Sequence, residues 1–276
     1  MTETVGLRGA RAPASLPARP REAHKGTFGT VGIVAGSEGM LGAAILCARG
    51  ALRGGAGLVR AFLPRALRAP FTVAVPAATT ALRGKAAPAG CDVLVVGPGL
   101  GTGAATRDLV RRLVTQAPTP LVLDADALNV LAPCTALLRT TRPAVLTPHP
   151  GEAGRLLGWP TAQVQADRRA AVLALARRTG QVVVLKGAGT LVTDGRRLYR
   201  NTTGNPGLAT GGSGDVLAGV LGALRAQGMD AFAAACLAVR VHGQAGDLVA
   251  RRLSRAGLVA DDLPMAVAEV LRRYER

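Results

Sequence analysis

The chain has 276 residues, 49% hydrophobic and only 3% aromatic, with a formal net charge of +17. That size and apolar share support a large core in one domain, or in two tightly merged ones. No apolar run is long enough to span a membrane, and Cys47, Cys91, Cys134 and Cys236 form no CxxC pair, so a transmembrane protein and a zinc or disulfide framework are not expected.

The positive charge does not read as a nucleic-acid surface. Only Lys25, Lys85 and Lys186 are lysines, and the arginines fall in ones and twos, as in Arg111-Arg112, Arg168-Arg169 and Arg177-Arg178. Aromatics for base stacking are scarce. Residues 1–25 are rich in Arg, Pro and Ala, lack the apolar centre of a signal peptide, and read as a loose, flexible arm of a cytoplasmic protein. Residues 26–276 read as a single domain.

In chain order, a strand is expected over 30–35, ending in Gly36-Ser37. A helix over 41–54 follows, flanked by Gly42-Ala43-Ala44 and Gly54-Gly55-Ala56-Gly57. Strands over 58–63, 72–75 and 92–96 come next; the last runs into Gly97-Pro98-Gly99-Leu100-Gly101 and a helix over 104–115. A strand over 121–124 ends in Asp124-Ala125-Asp126 before a helix over 126–131. A strand over 144–147 ends in Thr147-Pro148-His149-Pro150-Gly151-Glu152 before a helix over 150–157. A helix over 162–179 precedes the strand 182–186. There Gly187-Ala188-Gly189 turns the chain into a strand over 190–193, and Asp194-Gly195 turns it again into 198–200. Helices over 213–227, 230–252 and 261–274 close the chain.

Runs such as Val93-Leu94-Val95-Val96 and Val182-Val183-Val184-Leu185 are apolar throughout rather than alternating, which marks strands buried on both faces, as in parallel sheets. Strands alternating with helices predict an α/β three-layer sandwich. Ligands of such sheets bind beyond the C-terminal strand ends. The glycines and ionisable residues gather at those ends, which defines one edge as a composite site.

The most telling stretch runs from Asn205 to Asp215 and includes Gly211-Gly212-Ser213-Gly214-Asp215. A Gly-rich turn at a helix N-terminus aims backbone N–H groups and the positive end of the helix dipole at one spot, a phosphate site. A carboxylate beside it is repulsive unless Asp215 takes a proton from a hydroxyl attacking phosphorus. Lys186 suits a phosphate oxygen, or is a solvated lysine at a hairpin. His149 sits between two prolines on a rigid loop and contacts ligand or is structural. Glu152 complements the helix dipole or positions Mg²⁺ through water. Asp126 is a helix N-cap, or, with Asp124, orients a metal ion or a substrate hydroxyl. The small residues around Ala43 pack the first helix or make room for a flat ring, and the turn at Gly97–Gly101 is tight or ligand-facing. Neither a GxGxxG fingerprint with its acid nor a GxxxxGK[ST] loop is present.

Val34-Ala35-Gly36-Ser37, Gly54-Gly55-Ala56-Gly57-Leu58-Val59, Val96-Gly97-Pro98-Gly99-Leu100-Gly101, Asp124-Ala125-Asp126-Ala127-Leu128-Asn129, Thr147-Pro148-His149-Pro150-Gly151-Glu152, Leu185-Lys186-Gly187-Ala188-Gly189-Thr190 and Gly211-Gly212-Ser213-Gly214-Asp215-Val216-Leu217-Ala218-Gly219 resemble, in order, the motif set of the ADP-dependent (S)-NAD(P)H-hydrate dehydratases. The resemblance covers residue 26 to the C-terminus and implies a ribokinase-like fold with a mostly parallel sheet. It implies dehydration of hydrated NADH and NADPH (NADHX and NADPHX), with ADP converted to AMP and phosphate. By this resemblance Asp215 is the base, and Gly212, Ser213 and Gly214 form the anion hole. Lys186, Gly187, Ala188, Gly189, Thr190 and Gly214 contact the nucleotide; Ala43, Gly99, His149 and Asp215 contact the hydrated dinucleotide. Mg²⁺, a homotetramer and a separate NAD(P)H-hydrate epimerase are also implied. Ser213 stands where the family often has Thr. The residues do not themselves separate ADP from ATP. The rival reading is an ATP-dependent thiazole or hydroxymethylpyrimidine kinase of the same fold.

Overall fold

In the computed structural model, which describes residues 8–84, 88–140 and 142–275, the apolar runs become strands covered on both sides. Ten strands, counted among the described residues, form one sheet: β1 (Arg8–Gly9), β2 (Thr30–Val34), β3 (Leu58–Leu63), β4 (Thr79–Leu82), β5 (Val93–Val96), β6 (Leu121–Leu123), β7 (Ala144–Leu146), β8 (Val182–Leu185), β9 (Leu191–Thr193) and β10 (Arg197–Arg200). Their order is β4-β3-β2-β5-β6-β7-β8-β9-β10-β1. Pairing is parallel from β4 to β8, antiparallel through β8-β9-β10, and parallel again between β10 and β1. The expected three-layer, mostly parallel sandwich is therefore the observed one.

The helices are α1 (Leu41–Arg53), α2 (Arg65–Ala74), α3 (Ala104–Gln116), α4 (Asp126–Leu131), α5 (Pro150–Leu157), α6 (Thr161–Ala166), α7 (Arg168–Thr179), α8 (Ser213–Ala226), α9 (Ala231–Arg252) and α10 (Leu263–Leu271). Alternate strand residues feed two separate cores, as the period of two requires. Val31, Ile33, Val93, Val95 and Val184 join the buried faces of α1, α8, α9 and α10. Leu94, Val96, Val183 and Leu185 join those of α3, α4, α5 and α7. Among the described residues no helix is long and apolar enough to cross a membrane. Cys47, Cys91 and Cys236 are buried free thiols, and Cys134 is a partly buried one.

Helices α1 and α8 touch backbone to backbone. A Cβ on Gly219 would lie 2.0 Å from the Cys47 carbonyl oxygen, and one on Gly50 would lie 2.5 Å from that of Val216. Two glycines thus press the first turn of α8, which carries Asp215, onto the helix that carries Ala43.

Four expectations need correction. Residues 72–75 are not a strand. They end α2, where Phe71 is buried and Val73 is 84% exposed, and the edge strand β4 begins only at Thr79; a four-residue apolar run is too short to separate strand from helix by period. The helix expected over 162–179 is two helices. Asp167 breaks it with φ −139° and caps α7 by accepting a hydrogen bond from Ala170 N at 2.8 Å. The last helix is shorter than expected, with a 3₁₀ turn over Ala260–Asp262 before it. Finally, the described part of the N-terminal arm is docked. β1 pairs with the sheet-edge strand β10, Leu16 N donates to Tyr274 O at 2.8 Å, Ala12 and Leu16 are buried, and Arg19 stacks on the Phe28 ring at 3.9 Å. The open edge of β10 offers unpaired backbone groups, and a two-residue strand carries no periodic signal. Residues 1–7 lie outside the described residues.

Candidate active site

The sheet order reverses between β2 and β5, and there the expected strand ends meet. Gly36 N donates to Pro98 O at 2.8 Å, and Ser37 Oγ to Gly99 O at 2.9 Å. Gly97 has φ +131°, and a Cβ on it would fall 1.8 Å from the Asp124 carbonyl oxygen, so only glycine permits β5 and β6 to end this close. Gly99 lies against α1: its missing Cβ would sit 3.0 Å from that of Ala43. Ala43 and Gly99, read together as dinucleotide contacts, are thus neighbours. Gly42 has nothing within 4 Å of a Cβ position, whereas one on Gly54 would meet Ala223 at 2.9 Å and one on Gly57 would meet the Lys25 carbonyl at 1.8 Å. Packing explains the small residues after α1, and open space those at its start.

Asp126 is not the N-cap of α4. Ala125 takes that place with φ 48° and ψ −119° and makes no side-chain cap bond. This backbone region is unfavourable for a side chain with a Cβ, costing on the order of 1–3 kcal/mol. It separates two carboxylates. Asp126 Oδ2 accepts from Gly101 N at 2.8 Å and so fastens the Gly97–Gly101 turn. Asp124, 1% exposed, accepts from Thr147 Oγ1 and from Lys186 Nζ, both at 2.7 Å to Oδ1.

Lys186 is not a solvated hairpin lysine. Its side chain is 20% exposed and also faces Glu152 Oε2 at 3.8 Å. Burial pulls its pKa down, and the Asp124 and Glu152 carboxylates outweigh that, leaving it raised. Its ammonium lies 3.4 Å from the position a Gly214 Cβ would take, so a fixed positive charge stands beside the Gly-rich turn. His149 caps α5: Nδ1 accepts from Gly151 N at 3.0 Å, and Glu152 Oε2 accepts from His149 N at 2.8 Å. The ring is neutral, because burial and then Lys186 and Arg155 lower its pKa. With Nδ1 accepting, the proton sits on Nε2, 3.3 Å from Glu152 Oε1. Glu152 therefore works as the reciprocal half of the cap, with its pKa raised first by burial.

The Gly-rich turn opens α8 as expected. Gly212 has φ +88°, and a Cβ there would strike Leu46 Cδ1 at 2.3 Å. The Gly212 and Gly214 N–H groups make no backbone hydrogen bond among the described residues, while Ser213 N reaches Thr210 O at a long 3.4 Å. Asp215 follows in the first helical turn. Burial, and then repulsion from Asp124, raise its pKa from an ordinary 3.8 to about 7, with Lys186 pulling the other way. A carboxyl group that ionises near neutrality is matched to general-base work.

Beside this turn lies a cavity of about 890 Å³ lined by His149, Lys186, Gly187, Ala188, Gly189, Thr190, Ser213 and Gly214. That volume suits a nucleotide-sized ligand. His149 thus shares a wall with the Lys186–Thr190 turn rather than with Ala43 and Gly99. Several wall residues escaped the sequence reading. Arg200, the loop from Asn201 to Gly204, and Val239, His242 and Gly243 also line the cavity, next to Asn205, Thr210 and Leu217 of the stretches that the sequence singles out. The polar run Asn201-Thr202-Thr203-Gly204 directly after a strand end was the available signal. α9 anchors this loop, with Asn201 Nδ2 donating to Val239 O at 3.2 Å and Gly204 N to Asp247 Oδ2 at 2.9 Å. Arg168, from one of the scattered arginine pairs, holds the carbonyls of Leu185 and Lys186 at 3.1 and 3.2 Å.

The chain is similar to known proteins over most of its length. The family model described as NAD(P)H-hydrate dehydratase matches residues 31–268. The chain is 45% identical to an ADP-dependent (S)-NAD(P)H-hydrate dehydratase of Neisseria meningitidis, over 93% of this chain and 89% of that protein. It is 42% identical to a bifunctional NAD(P)H-hydrate repair enzyme of Moorella thermoacetica, over 95% of this chain but 53% of that protein; the chain spans about half the length of such bifunctional relatives. Its fold matches the ADP/ATP-dependent NAD(P)H-hydrate dehydratase of Bacillus subtilis, co-crystallised with ATP and Mg²⁺. The TM-score is 0.85 and the identity 33%, over 95% of each chain.

Proposed function

We propose a nucleotide-driven repair reaction for this chain, which belongs to the NAD(P)H-hydrate dehydratase family: the S-form of hydrated NADH or NADPH is dehydrated while ADP is converted to AMP and phosphate. The observation that carries the mechanism is the place of Asp215. Its pKa of about 7 makes it a base at neutral pH, and it stands next to two N–H groups without backbone partners.

Asp215 takes the proton of the ring hydroxyl as that oxygen attacks the β-phosphorus of ADP, and AMP leaves. The Gly212 and Gly214 N–H groups and the Lys186 ammonium stabilise charge on the transferring phosphoryl group. Phosphate is a far better leaving group than hydroxide. Electrons from the ring nitrogen expel it with the former hydroxyl oxygen, and loss of a proton from the neighbouring carbon restores the dihydronicotinamide. Ala43 and Gly99, with open space at Gly42, leave room for the flat ring. The cavity wall from Lys186 to Thr190 takes the nucleotide.

Mg²⁺ fits as an ion carried on the nucleotide rather than caged by protein. Among the described residues no three His, Cys, Asp or Glu side chains gather as ligands. Both oxygens of Glu152 face His149, so Glu152 would reach such an ion through water. When bound, the ion neutralises phosphate charge. The same reading takes in a cytoplasmic homotetramer working beside a separate NAD(P)H-hydrate epimerase; four free thiols support a reducing compartment.

The test is incubation of the pure protein with hydrated NADH, ADP and Mg²⁺ while the reduced-nicotinamide absorbance is followed. Recovery of absorbance is expected. No recovery, with ATP-dependent phosphorylation of a thiazole or pyrimidine alcohol instead, would establish the rival kinase.

A further inference from the structure

His242 lies in the interior of α9, 29 residues beyond Ser213, and no step above uses it. Its Nε2 is 3.0 Å from the Ser213 carbonyl oxygen and 3.3 Å from Ser213 Oγ. Both residues are buried, at 8% and 5% exposure, and both line the nucleotide cavity. A carbonyl oxygen can only accept, so Nε2 must carry the proton. The ring is neutral, since burial pushes its pKa down to about 4.

That tautomer constrains the serine. Nε2 has no lone pair to offer, so Ser213 Oγ can only accept there, and its own proton is directed elsewhere. The main-chain donor of the same residue is already drawn toward Thr210 O at 3.4 Å. Furthermore, α8 begins without help from its own sequence, because Gly212 at the N-cap has no side chain to cap it. The support comes from α9, which also holds the loop opposite through Val239 and Asp247.

We propose that His242 is a positioning residue that fixes Ser213 so that its hydroxyl, more than its N–H, is the donor this residue presents to the bound phosphate. The proposal rests on the phosphoryl-transfer reading of the turn. It also gives the serine at this position a role of its own.

The experiment measures ADP affinity by titration calorimetry, and turnover of hydrated NADH, for His242→Leu, His242→Gln, Ser213→Ala and the His242→Leu/Ser213→Ala double variant. His242→Leu and Ser213→Ala are each expected to weaken ADP binding about tenfold, the scale of one hydrogen bond to a charged group. The double variant is expected to be no more than about twofold weaker than the weaker single, because both remove the same donor. Gln keeps an N–H at similar reach and should stay within about threefold of the wild type. A hundredfold, additive loss in the double variant would overturn the proposal. So would unchanged ADP binding in Ser213→Ala, or a folded His242→Gln as weak as His242→Leu. If His242→Leu does not fold, the Gln and Ser213→Ala arms decide alone. A wild type that binds ADP yet restores no hydrated NADH refutes the repair reading, and the binding cycle still judges the positioning role.

Discussion

Asp215→Asn should stabilise the fold at pH 8 while removing most turnover. Burial and Asp124 raise the carboxyl from 3.8 to about 7. That gap corresponds to roughly 4 kcal/mol of penalty for ionising the group in the folded chain, at 1.36 kcal/mol per pKa unit. The sign follows from proton binding. The folded state holds this proton more tightly than the unfolded chain does, so its contribution to stability is complete below pH 4 and is lost as pH rises through 7. Asparagine carries no charge and is spared that loss. Asp215 keeps some contact with solvent, so a gain of roughly 2–4 kcal/mol at pH 8 is expected, shrinking to near zero at pH 4. Urea unfolding of both proteins at pH 4, 6 and 8 reads this directly, because titrating groups that do not interact with Asp215 cancel in the difference. A variant no more stable than the wild type at pH 8, or a difference that does not change with pH, would refute the reasoning.

Further outcomes follow from the same site. Turnover should rise with pH through a single ionisation near 7, set by Asp215; an acid limb near 4 would point instead to a different base. Lys186→Ala should weaken ADP binding by about tenfold or more while changing dinucleotide binding by less than about threefold. It should also move the ionisation near 7 to higher pH, since Lys186 holds the Asp215 pKa down; equal loss of both ligands would contradict the placement of Lys186. Gly219→Ala drives a methyl to 2.0 Å from the Cys47 carbonyl and should cost about 2–3 kcal/mol in chemical unfolding. Gly42→Ala meets open space and should leave stability within about 1 kcal/mol of wild type, with its effect confined to dinucleotide binding.

Much of this architecture was legible in the chain, and the exceptions have physical causes. The central strands announced themselves because Val, Leu and Ile filled both faces, and the strand-end glycines marked the site edge. The turn at Gly212–Asp215 was readable because every part of it is local. What the sequence hides is contact between distant elements. The Asp124–Lys186 pair spans 62 residues, and nothing near either residue says that Asp124 points at the lysine while Asp126 points at Gly101. The same holds for Ser213 and His242, which meet only because α9 packs across α8. Residues 72–75 misled because β-branched residues in a four-residue window mimic a strand, whereas Leu67, Phe71 and Ala74 pack on the core at helical spacing. β1 was invisible because its two residues are recruited by the open edge of β10, not by their own preference.

The central claim is that the substrate hydroxyl itself attacks phosphorus and leaves as part of the phosphate. Hydrated NADH carrying ¹⁸O in the ring hydroxyl tests it in one measurement, with the released phosphate analysed by mass spectrometry after turnover with ADP. The mechanism built on Asp215 predicts that the label appears in inorganic phosphate, one heavy oxygen per NADH restored. Label found in water, with unlabelled phosphate, would contradict it.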